Sequence, residues 1–127
     1  MEPKKRYKDF FLKSKEVSHL SDHRCKIGAS VIHKNKIISS ACNQRFIWDS
    51  LTRLYNPFSS IHAETSAILK VKNKKILKEC VMFIYRERKD GSLGMCRPCK
   101  TCQRIMKSFG LLKVHYTSPE GYHYEEL

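Results

Sequence analysis

No stretch of this 127-residue chain is apolar for long enough to span a bilayer, which takes about 20 consecutive apolar residues. The longest apolar run, Cys80 to Tyr85, suits a central strand buried on both faces. The N-terminal MEPKKRYKDF is basic but no apolar segment follows it, so no secretory signal is expected. Internal repeats and low-complexity segments are absent from the sequence. Acidic residues are scarce, 12 Asp+Glu against 25 Lys+Arg, for a formal net charge of +13. A surplus of that size points to a polyanionic partner, with a solvated lysine-rich surface as the plain alternative. The basic residues run along the whole chain, with denser groups at Lys4-Lys5-Arg6 and from Lys70 to Lys78.

What is present fits one domain over residues 1–127, with an ordinary hydrophobic content of 41%. Six cysteines occur: Cys25, Cys42, Cys80, Cys96, Cys99 and Cys102. Cys42 and Cys80 lie in apolar strand patterns, and the last two form a C-x-x-C pair. This usage suggests a reducing compartment, cytoplasmic or another intracellular one, rather than a disulfide framework.

Two short stretches carry the chemistry: His62-Ala63-Glu64, and Pro98-Cys99-Lys100-Thr101-Cys102. Cys99 and Cys102 are three apart and share one face of a helix. Pro98 suits the start of that helix, and the helix's positive end favours the thiolates that bind metal. With His62 they make three zinc ligands, leaving a fourth tetrahedral position for water, as catalytic rather than structural zinc requires. Glu64 stands two residues from His62, about 200° away around a helix. The two converge on one metal only if the helix end points at it; Ser59 and Ser60 are read as that helix's N-cap. Glu64 is then placed to carry protons. Taken singly, His-x-Glu is common by chance, and a lone C-x-x-C also suits a redox pair or half a zinc knuckle.

The order H-x-E…P-C-x-x-C resembles the zinc nucleobase deaminase signature, and the chain is similar to the cytidine deaminase-like superfamily from about Ile27 to Val114. That superfamily spans free cytidine and deoxycytidylate deaminases, tRNA adenosine deaminases and the AID/APOBEC polynucleotide deaminases. The resemblance implies Zn2+ on His62, Cys99 and Cys102, Glu64 as proton shuttle, and hydrolytic deamination with cytosine as the preferred base. It also places Asn43 where the family contacts the target nucleotide's sugar or backbone; the alternative is a turn residue. The chain departs from the tRNA and AID/APOBEC members in the longer loop between Arg86 and Met95, and in Arg97, where they carry Glu or Ser.

Along the chain, Phe10, Phe11, Val17 and Leu20 predict a covering helix over Arg6 to Leu20. His19, His23 and Cys25 lack a fourth ligand and read as helix-end and loop residues rather than a second metal cluster. Lys26–His33 and Lys36–Cys42 read as a hairpin turning at Lys34-Asn35. The connection Gln44 to Phe58 sets Phe46, Trp48, Tyr55 and Phe58 around Arg45 and Arg53. That combination suits base stacking and phosphate contact, with at least two of the aromatics packing as core. Helices are expected over Ile61–Val71 and Cys99–Phe109, the second stopping at Gly110. The turn Ser118-Pro119-Glu120-Gly121 leaves room for one short last strand, antiparallel to Lys113–Thr117.

The expected fold is a three-layer α/β/α sandwich on a five-stranded mixed sheet with an antiparallel C-terminal strand pair. That end resembles the cytidine deaminases, although toxin deaminases acting on polynucleotides share it. The expected substrate is cytosine in single-stranded DNA or RNA, with Asn43, Arg45, Trp48, Arg53 and Arg97 as candidate contacts. The rivals are a free cytidine or deoxycytidylate deaminase, with Arg97 or Arg53 on the phosphate, and a non-enzymatic zinc-stabilised nucleic-acid-binding module.

Overall fold

Alternation along the strands sets up two cores on opposite faces of one sheet. The computed structural model describes residues 4–44 and 61–127. The roles expected of Arg45, Phe46, Trp48, Arg53, Tyr55 and Phe58 therefore lie outside the described residues. The elements are α1 (Lys5–Ser18), β1 (Ile27–His33), β2 (Lys36–Cys42), α2 (Ala63–Lys70), a 3-10 helix (Lys74–Glu79), β3 (Cys80–Arg86), α3 (Lys100–Ser108), β4 (Lys113–Ser118) and β5 (Gly121–Glu126). They form a five-stranded sheet in the order β2-β1-β3-β4-β5.

β1 pairs antiparallel with both β2 and β3. The β1–β2 turn places Lys34 and Asn35 both at positive φ, 49° and 65°, the geometry a two-residue hairpin needs. β3 and β4 are parallel, joined by the crossover through α3. β4 and β5 pair antiparallel from Lys113↔Glu126 to Ser118↔Gly121, as the short turn requires. The mixed sheet with helices on both faces is the expected sandwich.

On one face α2 and α3 cover Ala29, Val31, Met82, Ile84 and Val114, with Ala63, Ala67, Ile68 and Met106 from the helices. On the other, α1 lays Phe10 and Phe11 against Ile32, Phe83 and Tyr85. β3 serves both, buried at four consecutive positions from Met82 to Tyr85, as its unbroken apolar run predicts.

The inward face of α1 departs from expectation. Leu20 lies beyond the helix and is 78% exposed, whereas Ser14 and Ser18 are buried. The cause is close approach: a Cβ built on Gly28 of β1 would stand 1.9 Å from the Ser14 carbonyl oxygen. Only small residues fit there, and the Ser14 hydroxyl is satisfied by Ser30 Oγ and by donating to the Phe83 carbonyl, both at 2.8 Å.

Candidate metal centre

Both helices on the α2/α3 face begin at the same place. His62 is the N-cap of α2, with extended backbone (φ −73°, ψ 150°), and Ser66 N–H donates to its carbonyl at 3.0 Å. The cap position expected of Ser59 and Ser60, which lie outside the described residues, is thus taken by His62: the helix starts at Ala63, and Ile61 forms an antiparallel bridge with Gln44. Two backbone hydrogen bonds of 3.0 Å in that bridge hold Gln44 against Ile61. Cys99 caps α3 in the same extended conformation, and its Sγ accepts from Cys102 N–H at 3.5 Å. Gln103 N–H closes the first turn on the Cys99 carbonyl at 2.9 Å, and the Gln103 side chain holds the Pro98 carbonyl at 2.7 Å. At the far end Gly110, at φ +79°, and the Leu111 N–H bond to Met106 O stop α3 as expected.

These two helix starts gather three donors. His62 Nδ1 is 3.2 Å from Cys102 Sγ and 3.6 Å from Cys99 Sγ, and the three ligand atoms all lie within 4.8 Å of one another. One ring nitrogen and two sulfurs form a donor set that suits zinc. Burial, with Glu64 and Cys99 close by, pushes the Cys102 thiol well above its usual range. A dication in the cluster would reverse that balance and hold both sulfurs as thiolates.

Glu64 is in the first turn of α2, 5% exposed, and lines the same cavity of about 200 Å³ as His62 and Cys99. Burial raises its carboxyl above the ordinary carboxylate range, with His62 and Cys102 pulling the other way. A carboxyl at this place in the cavity wall is positioned to exchange protons with a group bound there.

The cavity wall also contains Asn43 and Arg97. Asn43 is buried and stitches the 21–27 segment onto the end of β2. Its Oδ1 accepts from Ser21 Oγ (2.7 Å) and Ile27 N–H (2.9 Å), and its Nδ2 donates to the Cys25 carbonyl (2.5 Å). Arg97 is exposed and bidentate to Glu125, with Nε–Oε1 2.6 Å and Nη2–Oε2 2.9 Å. Hydrogen bonding from Arg97, helped by the Tyr116 hydroxyl and by the arginine's charge, holds the Glu125 carboxyl below the usual range. His23, Cys25, Met95 and Cys96 complete much of the wall, and sequence reasoning missed them as pocket residues. His23 Nδ1 accepts from Cys25 N–H at 3.0 Å, a local turn contact. Among the described residues His62, Cys99 and Cys102 are the one cluster of three donors close enough together to hold a metal ion. Thr117 was missed as well: fully buried in β4, it donates to Gly94 O at 2.9 Å and its carbonyl accepts from Cys96 N–H at 3.0 Å. It thereby fixes the path of the chain into Pro98-Cys99.

The fold has solved counterparts. The dCMP deaminase of the cyanophage S-TIM5, in complex with dCMP and dUMP, superposes with a TM-score of 0.67 at 22% identity, over 93% of this chain and 85% of that one. The cytidine deaminase of Burkholderia pseudomallei gives 0.69 at 18% identity, over 94% and 91%. That of Mycobacterium leprae gives 0.58 at 14%, over 93% and 92%. A search of curated proteins finds no matching relative. A family match over residues 1–118, together with this sheet and the His/Cys/Cys cluster, makes the chain a zinc-dependent deaminase of the cytidine type, a hydrolase of an amidine C–N bond. The sequence matches the cytidine and deoxycytidylate deaminase zinc-binding region over residues 1–118, and the chain belongs to that family. That membership sets aside the non-enzymatic reading.

Proposed function

We propose that the chain deaminates cytosine in single-stranded DNA or RNA, with residues 1–127 acting as one catalytic domain in a reducing compartment that keeps Cys99 and Cys102 available. His62, Cys99 and Cys102 would hold Zn2+, which when bound acts as a Lewis acid and lowers the pKa of water to about 7. Glu64 takes a proton from the attacking water, delivers it to the cytosine ring nitrogen N3, and passes a second to the departing amine. Cytosine and water give uracil and ammonia. The cavity of about 200 Å³ beside Glu64 is the place for the base. Asn43 faces it with a primary amide, whose Nδ2 carries a second hydrogen beyond the one given to Cys25.

The observation that carries the single-strand reading is charge: a net +13, far more than one phosphate requires. The second reading is a free pyrimidine nucleotide, favoured by the dCMP- and dUMP-bound phage neighbour and by an arginine, Arg97, at the cavity wall. Against Arg97 as a phosphate clamp, its guanidinium is already engaged by both oxygens of Glu125. Zinc-loaded protein assayed side by side on a single-cytosine oligonucleotide, cytidine and dCMP separates the two readings. Turnover of the oligonucleotide is expected, and turnover of the monomers alone would overturn the proposal.

A further inference from the structure

A second cavity, of about 470 Å³, adjoins the zinc pocket, and Cys25 lies in the wall of both. It opens between the turn around Arg24 and the hairpin that follows β3, and its wall gathers Arg24, Lys26, Arg86, Arg88 and Lys89. The carboxylate in that wall, Glu87, accepts from Tyr85 Oη at 2.7 Å and lies 3.7 Å from Lys15 Nζ. Its charge is thus already engaged. Arg86 forms the partition between the cavities: it donates to Met95 O at 3.1 Å and to Cys25 Sγ at 3.6 Å. Gly94 makes room for it, since a Cβ there would come 2.9 Å from Arg86 Cδ. Among the described residues no ion pair engages Arg24, Lys26, Arg88 or Lys89.

The cations stand on a built scaffold. The hairpin is closed by the Glu87–Leu93 bridge, by Arg88 N–H to Ser92 O at 2.7 Å and by Gly91 N–H to Arg88 O at 2.9 Å, with Gly91 at φ +88°. In the same turn Asp90 accepts from the Ser92 N–H and hydroxyl. A concave wall with five cations to one carboxylate concentrates anions even though Arg88 also feels Asp90 and Glu120, and this cavity is more than twice the volume of the pocket beside Glu64.

We infer that this cleft binds the phosphates flanking the target cytosine, so that a single strand reaches the zinc pocket past Cys25. The inference rests on the single-strand reading above and adds to it the path of the strand and the residues that hold it.

The test compares two double variants of the zinc-loaded enzyme that remove the same charge. Arg88→Gln with Lys89→Gln alters the cleft; Lys72→Gln with Lys75→Gln alters exposed lysines near the opposite end of β3. Affinity for a labelled single-stranded 12-mer with one cytosine is followed across salt, alongside kcat/KM on the 12-mer and on dCMP. The cleft pair should weaken 12-mer binding by about tenfold or more and flatten the salt slope by about 1.4, two phosphate contacts' worth; the distal pair should do far less. Lys89→Gln alone, expected to show about half the slope change, covers the case in which the double variant folds poorly. Equal effects of the two pairs, with the wild type still deaminating the 12-mer, would overturn the cleft and leave the single-strand reading standing. An equal loss on dCMP and the 12-mer would assign the cleft to the nucleotide's own phosphate and overturn the strand path. A wild type that neither binds nor deaminates the 12-mer would end both.

Discussion

The two faces of the sheet are built from the same strands and hold opposite chemistries. Under α2 and α3 the contacts are small or aliphatic: Ala29, Ala63 and Ala67 let a helix come close, and Met82, Ile84, Met106 and Val114 fill what is left. That closeness aims both helix N-termini at one spot, where His62, Cys99 and Cys102 meet. Under α1 the contacts are small and polar where Ser14 and Ser18 meet Gly28 and Ser30 of β1, and aromatic over β3 and β4. Phe10, Phe11 and Tyr7 surround Phe83, and His115 lies flat on Phe83 with centroids 4.2 Å apart and planes within 3°. One helix has to cover that face, and large rings fill the width that a second helix fills opposite. The difference teaches that the reactive groups depend on where helices begin, while the supporting face depends on what packs along their length.

If that division holds, changes at the helix starts should cost activity, and changes beneath α1 should cost stability. The largest effect is expected from Cys102→Ser. Zinc content by elemental analysis should fall to near zero and deamination below detection; retention of both would break the assignment of the centre. Next comes Glu64→Gln, which should keep stoichiometric zinc yet lower kcat/KM by about 10²- to 10⁴-fold. Loss of zinc in that variant would make Glu64 a ligand rather than a proton carrier.

On the other face, Gly28→Ala should destabilise by about 3 kcal/mol or more in urea unfolding. The new methyl meets the α1 backbone at Ser14, which cannot rotate away as a side chain can. The protein that remains folded should deaminate at its usual rate. A slowed reaction at full folding would show that α1 reaches the metal centre through the sheet.

Local signals read well and distant ones did not. His62, Glu64, Cys99 and Cys102 stand in two tight motifs, and the β4–β5 hairpin follows from a four-residue turn, so the meeting of the three donor atoms beside Glu64 and the last strand pairing were both legible. The cap of α2 was misplaced because Ser59 and Ser60 satisfy the usual preference, whereas His62 caps with backbone geometry and no side-chain bond. The α1 face was misread because large apolar residues were favoured over Ser14 and Ser18; a glycine inside the β1 pattern was the available hint of close approach. Arg97–Glu125 joins residues 28 apart, and the cationic cleft joins Arg24 to Arg88 across the fold. No spacing rule reaches across such separations.

The smallest expected effect sharpens the same comparison through pH. His115 is packed among Tyr7, Phe11, Phe83 and Tyr124, and burial pushes its pKa down to about 4 from the ordinary 6.5. It behaves there as a neutral aromatic. Between pH 4 and 6.5 the unfolded chain therefore binds a proton that the folded chain refuses, so stability is complete above about 6.5 and falls as pH drops towards 4. Allowing for its partial exposure to water, the loss should be about 1–2 kcal/mol. His115→Phe keeps a ring on Phe83 and removes the titration. Its unfolding free energy should match the wild type at pH 7.5 and exceed it at pH 4.5. Parallel acid-side curves for the two proteins would mean that His115 is protonated in the folded state, and that the aromatic face is wetter than its packing implies.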